Sequence, residues 1–101
     1  MRRGTTPTIQ VSVDFDLNAC KTVWFTLKQG KTEITKEKDN LVIDENGMGF
    51  SVTLLQEDTL KLKDNEYCEA QVRALTNEGK AIASNAVGIE VWKILKDGVI
   101  T

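Results

Sequence analysis

The chain has no histidine and, in 101 residues, only one proline and two cysteines. Lacking histidine, it lacks the commonest general base, proton shuttle and transition-metal ligand, so a Ser-His-Asp or Cys-His site is excluded. Cys20 and Cys68 are too far apart for a CxxC metal or redox motif. Two free, buried thiols in a reducing cytoplasm are the expectation. No apolar run is long enough to span a bilayer or to form the core of a signal peptide, so a soluble chain without a cleaved leader is expected. A large excess of either charge is lacking too, with 13 basic and 15 acidic residues. The formal net charge is −2 and the basic opening, Arg2-Arg3, is two residues long, which gives little drive toward nucleic acid.

What is present is an ordinary globular balance, 41% hydrophobic and 28% charged, at a length that builds one core. Residues 1–7, "MRRGTTP", carry no periodic pattern and read as a flexible N-terminal arm. From Thr8, "TIQVSVDF" alternates, with Ile9, Val11, Val13 and Phe15 on one face, the period-2 mark of a half-buried strand. In "KTVWFTLKQGK", Val23, Phe25 and Leu27 face inward and Trp24, Thr26 and Lys28 outward, and the run enters a glycine turn from which "TEITKE" returns. Asn46-Gly47 separates Leu41–Ile43 from a strand carrying Phe50, Val52 and Leu54.

In "TLLQEDTLKLKDNE" Leu55, Thr59, Leu60 and Leu62 approach helical spacing, which predicts one short helical turn capped by Thr53 or a neighbour. "YCEAQVRALT" alternates with Cys68, Ala70, Val72 and Ala74 inward. After the turn "NEGK", "AIASNAVGIEVWKIL" reads as the last strand. About seven short strands with at most one helical turn predict an all-β fold, an antiparallel β-sandwich of immunoglobulin-like type. An antibody-like disulfide framework is not expected, because Trp24 follows Cys20 by only four residues.

No constellation of residues points to chemistry. Asp14 with Asp16, and Asp39 with Asp44 and Glu45, miss the spacing of a calcium loop and fit solvated turns and edges. Gly79-Lys80 lacks the upstream glycine of a phosphate loop and fits a hairpin turn. Cys68, among inward-facing small residues, fits an inert thiol. The reading is of a protein that is not an enzyme and has no catalytic residue, cofactor or metal site. Trp24 and Trp92 fall on the outward face of their strands, where they either cover the sheet or mark contact surface.

Three stretches, "MRRGTTPTI", "LLQEDTLKL" and "ALTNEGKAIASN…VWKILKDGVI", together resemble a family of small proteins encoded among tail and structural genes of phages and prophages of Gram-positive bacteria. The strand pattern also resembles the N-terminal β-sandwich of upper baseplate proteins, without the long fibre or coiled-coil extension such proteins carry. The resemblance implies a non-enzymatic tail or baseplate assembly protein, found in the virion or in the bacterial cytoplasm before assembly. Its partners would be other tail proteins, with homo-oligomers possible and neither nucleic acid nor membrane involved. On that reading the sandwich spans residues 8–93 and residues 94–101 form a C-terminal tail that either covers the core or docks on a partner. The contact residues are then Arg2, Arg3, Trp24, Trp92, Ile94, Leu95, Val99 and Ile100. The competing expectation is a carbohydrate- or cell-surface-binding sandwich that stacks sugar rings on exposed tryptophans.

Overall fold

A computed structural model describes residues 1–101. Its strands are β1 (Thr8–Ser12), β2 (Cys20–Gln29), β3 (Thr32–Glu37), β4 (Val42–Ile43), β5 (Gly49–Thr53), β6 (Tyr67–Thr76), β7 (Ala81–Ala83) and β8 (Val87–Glu90). One short helix, α1 (Gln56–Leu60), lies between β5 and β6. The strands form two antiparallel sheets, one ordered β1-β5-β4 and the other β3-β2-β6, with both β7 and β8 on the far side of β6. This is the expected all-β sandwich of immunoglobulin-like order, and no helix is long and apolar enough to cross a membrane.

The alternating residues meet between the sheets. Val23, Phe25 and Leu27 of β2 and Cys68, Val72 and Ala74 of β6 are buried against Phe50 and Val52 of β5. Phe25 and Phe50 meet edge to face, ring centres 5.7 Å apart at 73°, a preferred aromatic geometry that adds about 1 kcal/mol beyond the area buried. Gly47, at φ 73°, turns the chain from β4 into β5, as the Asn-Gly signal requires.

Two local expectations are corrected and a third is narrowed. The last strand is two strands, because two residues of β6, Gln71 and Val72, stand opposite three, Ser84 to Ala86, between the Arg73–Ala83 and Ala70–Val87 pairs. That extra residue is a bulge, and Ser84 holds it by accepting the Val72 N–H on Oγ at 3.0 Å while its own N–H donates to the Val72 carbonyl. Of the expected caps, Thr53 is not used, and the cap falls on its neighbour Leu55: the Asp58 carboxylate accepts the Leu55 N–H at 2.9 Å, while Thr53 pairs with Thr8 through their hydroxyls. Leu55 itself is exposed.

Residues 1–3 form no loose arm. Arg2 makes a parallel bridge with Trp92, closed by Trp92 N–H to the Met1 carbonyl and Arg3 N–H to the Trp92 carbonyl. The first residues thus extend the outer edge of β8 before the chain crosses to β1 in the other sheet.

The side of the sandwich next to β3 is strapped by α1. Lys36 Nζ lies 2.7 Å from the Asp58 carboxylate, both side chains largely buried. Burial raises the Asp58 carboxyl, but hydrogen bonds from Lys36 and the Leu55 N–H, with the charges of Lys36 and Lys61, outweigh it and hold the group below its ordinary 3.8. A carboxyl depressed on folding stabilises the fold above its unfolded pKa and loses that contribution as pH falls through the folded value. Stability should therefore fall as the pH drops below 3.8, and Asp58→Asn should cost about 2 kcal/mol at pH 7 while flattening that acid limb, measured by urea titration between pH 2 and 7.

Candidate functional site

The expected contact residues divide into a cluster and an outlier. At the end of the sandwich where β8 runs out, Arg2 meets Trp92, Arg3 bonds the end of α1 and the tail, and Ile94 packs on Gly4, with Leu95, Val99 and Ile100 following on the same tail, whereas Trp24 stands apart. The alternation that buries Val91 turns Trp92 to the outer face of the five-stranded sheet, the same face as Trp24. Trp24 pairs with Arg73, and Trp92 lies two residues past Glu90, the partner of Tyr67. The two indoles are thus about eight residues, or about 26 Å, apart along the sheet.

Arg3 organises the cluster. Its guanidinium donates to the Leu62 carbonyl at 2.5 Å and the Leu60 carbonyl at 2.9 Å, satisfying the chain just beyond α1, and to the Asp97 carboxylate at 2.6 Å. It is thereby a structural clamp between the helix end and the tail, half-buried and with each of its three nitrogens engaged. Arg2 is exposed, donates to the Lys93 carbonyl at 2.7 Å and lies 5.5 Å from the centre of the Trp92 ring in a cation–π contact.

The tail is held at three points and bare between them. Ile94 packs on Gly4, which sits at φ 68° so close that a Cβ would come within 2.8 Å of Ile94 Cδ1 and 3.3 Å of Leu60. Asp97 takes Arg3. The Gln56 side-chain amide then grips the backbone of Ile100, accepting its N–H at 2.8 Å and donating to its carbonyl at 3.1 Å. Leu95 is nonetheless 96% exposed and Ile100 79%, with Trp92 at 48% and Val99 at 47%. The tail therefore lays Ile94 against its own fold, leaves Val99 half-covered and presents Leu95 and Ile100 as exposed apolar surface.

Trp24 belongs to a second surface. Arg73 lies 5.5 Å from its ring centre, and the outer face around it forms a shallow concavity of ≈ 530 Å³ lined by Thr26, Lys28, Glu33, Glu37, Glu69 and Gln71. The sequence alone does not mark Gln56, Asp97 or Arg73 as site residues. Each acts across a long sequence separation, so no local pattern marks it.

Neither cysteine offers reactivity. Both are free and buried, and burial pushes both thiols above 9.0. Cys20 pairs with Thr76, eight residues or about 26 Å along β6 from Cys68, far beyond bridging distance. No group of histidine, cysteine and carboxylate side chains gathers as a metal site.

Two outcomes are expected. At pH 8 the folded protein should leave both thiols unreacted with iodoacetamide over an hour while the unfolded chain reacts at both, read by mass spectrometry. Gln56→Ala should free Ile100, seen as faster amide exchange there by NMR, at a stability cost of about 0.5 kcal/mol. In comparisons with known proteins, no family model, no curated protein and no solved structure matches this chain.

Proposed function

We propose that the protein is a non-enzymatic assembly component that works through protein–protein contacts made at the end of the sandwich where its N-terminal and C-terminal segments meet. One observation carries this reading: Trp92, Leu95, Val99 and Ile100 are an exposed apolar set on a tail that Arg3, Gln56 and Ile94 hold in place. A preordered apolar surface with an aromatic residue, Trp92, beside the exposed cation Arg2 has the make-up of a docking patch. Holding the tail in advance lowers the ordering cost of binding. The resemblance of "MRRGTTPTI" and "VWKILKDGVI" to small phage-encoded tail proteins supplies the setting, a phage or prophage tail or baseplate, with the virion or the bacterial cytoplasm before assembly as its location.

A second reading, glycan binding, has its own observation in the Trp24 concavity, whose threonines, carboxylates, Gln71 and Arg73 supply hydrogen-bonding groups beside an aromatic ring. The two readings use different tryptophans. Co-expression with phage tail structural proteins should give a complex that Leu95→Asp with Ile100→Asp abolishes and Trp24→Ala leaves intact. A complex indifferent to the tail variant removes the assembly reading. Saturable quenching of Trp24 fluorescence by cell-wall polysaccharide, retained in Trp92→Phe, would favour the glycan reading instead.

A further inference from the structure

The sandwich has a second unfinished feature, on the long side away from β3 and β4. There β1 ends the three-stranded sheet and the β7 and β8 edge ends the five-stranded one, and between them opens a cleft of ≈ 530 Å³. Its floor and lips include Ile9, Val11, Val13, Phe25, Val72 and Val87. Ile9, Val11 and Val13 are only half-buried, and Val87 is 61% exposed.

The backbone of β1 shows which groups face this opening. The Pro7 carbonyl accepts from Leu54 and the Val13 N–H donates to Met48, so the odd-numbered residues of β1 bond to β5. By the alternation of an antiparallel ladder, the N–H and C=O groups of Thr8, Gln10 and Ser12 point outward with no strand beside them. Strand edges are normally guarded by charge, and β3, with Glu33, Lys36 and Glu37, is. β1 reads Thr-Ile-Gln-Val-Ser and carries none.

From this we infer that a second copy of the chain pairs with β1, edge to edge and antiparallel, about a two-fold axis through Gln10. That register sets Thr8 against the partner's Ser12 and Gln10 against the partner's Gln10. Among two-fold registers that join outward-facing residues, it overlaps the whole strand. Ile9 then stands over the partner's Val11 on the inner face, cleft meets cleft, and the two three-stranded sheets become one of six strands. No like charges are brought together in the paired strands, since the nearest charged residue along β1, Asp14, falls opposite the partner's Thr6. Five paired residues per copy with the cleft lips reach only the low end of the ~1,200–2,000 Å² that stable interfaces bury, so the association is weak, in the range of about 10 μM to 1 mM. The inference deepens the assembly reading and rests on it, but uses a different surface from the Trp92 tail.

The test is sedimentation equilibrium of the full chain up to about 1 mM, with amide exchange followed by NMR at the same concentrations. A dimer is expected, with the Thr8, Gln10 and Ser12 amides gaining protection as concentration rises and the Ile9 and Val11 amides unchanged. Gln10→Pro removes one outward N–H that the monomer does not use, and should abolish the dimer while circular dichroism stays unchanged. Val87→Lys puts a charge on an exposed cleft lip and should weaken the dimer about tenfold, which decides the matter if the proline variant fails to fold. A chain that stays monomeric, or a dimer that withstands Val87→Lys while the three β1 amides exchange freely, overturns the inference. Either result leaves docking through the Trp92 tail to be judged by its own co-expression test.

Discussion

The structure depends on the pairing of β2 with β6. These two strands, ten residues each, run antiparallel from Cys20–Thr76 to Lys28–Glu69 and form the centre of the larger sheet. Their inward residues supply nearly half of the core, including Phe25, whose ring meets Phe50 of the opposite sheet. Their outward residues set Trp24 beside Arg73 and fix the spacing of the surface between Trp24 and Trp92. Both cysteines are held at opposite ends of the same pairing, which keeps them apart as well as buried.

Around that centre the two long sides of the sandwich are finished differently. On one, α1 crosses between the sheets and the Lys36–Asp58 ion pair ties it to the charged strand β3. On the other, the chain crosses only at one end, through residues 4–7, and beyond that crossing two uncharged stretches of edge flank an apolar cleft. The third surface is the end where Met1 to Arg3 lie along Trp92 and the tail folds back under α1. An immunoglobulin-like sandwich buries its sheets' inner faces readily, but its edges and ends need separate covering. The places where this chain leaves the covering incomplete are the places where its contacts are proposed.

Much of the strand layout was legible because it is written in short-range alternation. β6 is found at the predicted residues, and the inward sets of β2, β5 and β6 are the predicted ones. The turns at Gly30, Gly47 and Gly79 adopt the left-handed conformation expected of glycine there. The misses share a physical cause. The bulge at Ser84 depends on hydrogen bonds to Val72 and Gln71, and the helix start depends on Asp58 taking the Leu55 N–H. The ordering of residues 1–3 likewise depends on an edge that the chain completes some ninety residues later.

The sequence by itself determined the class of fold, the inner and outer faces of β1, β2, β5 and β6 and the lack of histidine chemistry. Each of these follows from composition or from a period of two residues. Only the tertiary structure decided that Arg3 is a clamp rather than a free contact, that Trp24 and Trp92 share a face yet stand far apart, and that the outer edge of β1 is left open beside a cleft. Those facts rest on which strands become neighbours, and neighbours in this fold are joined by hydrogen bonds across separations that no local pattern encodes.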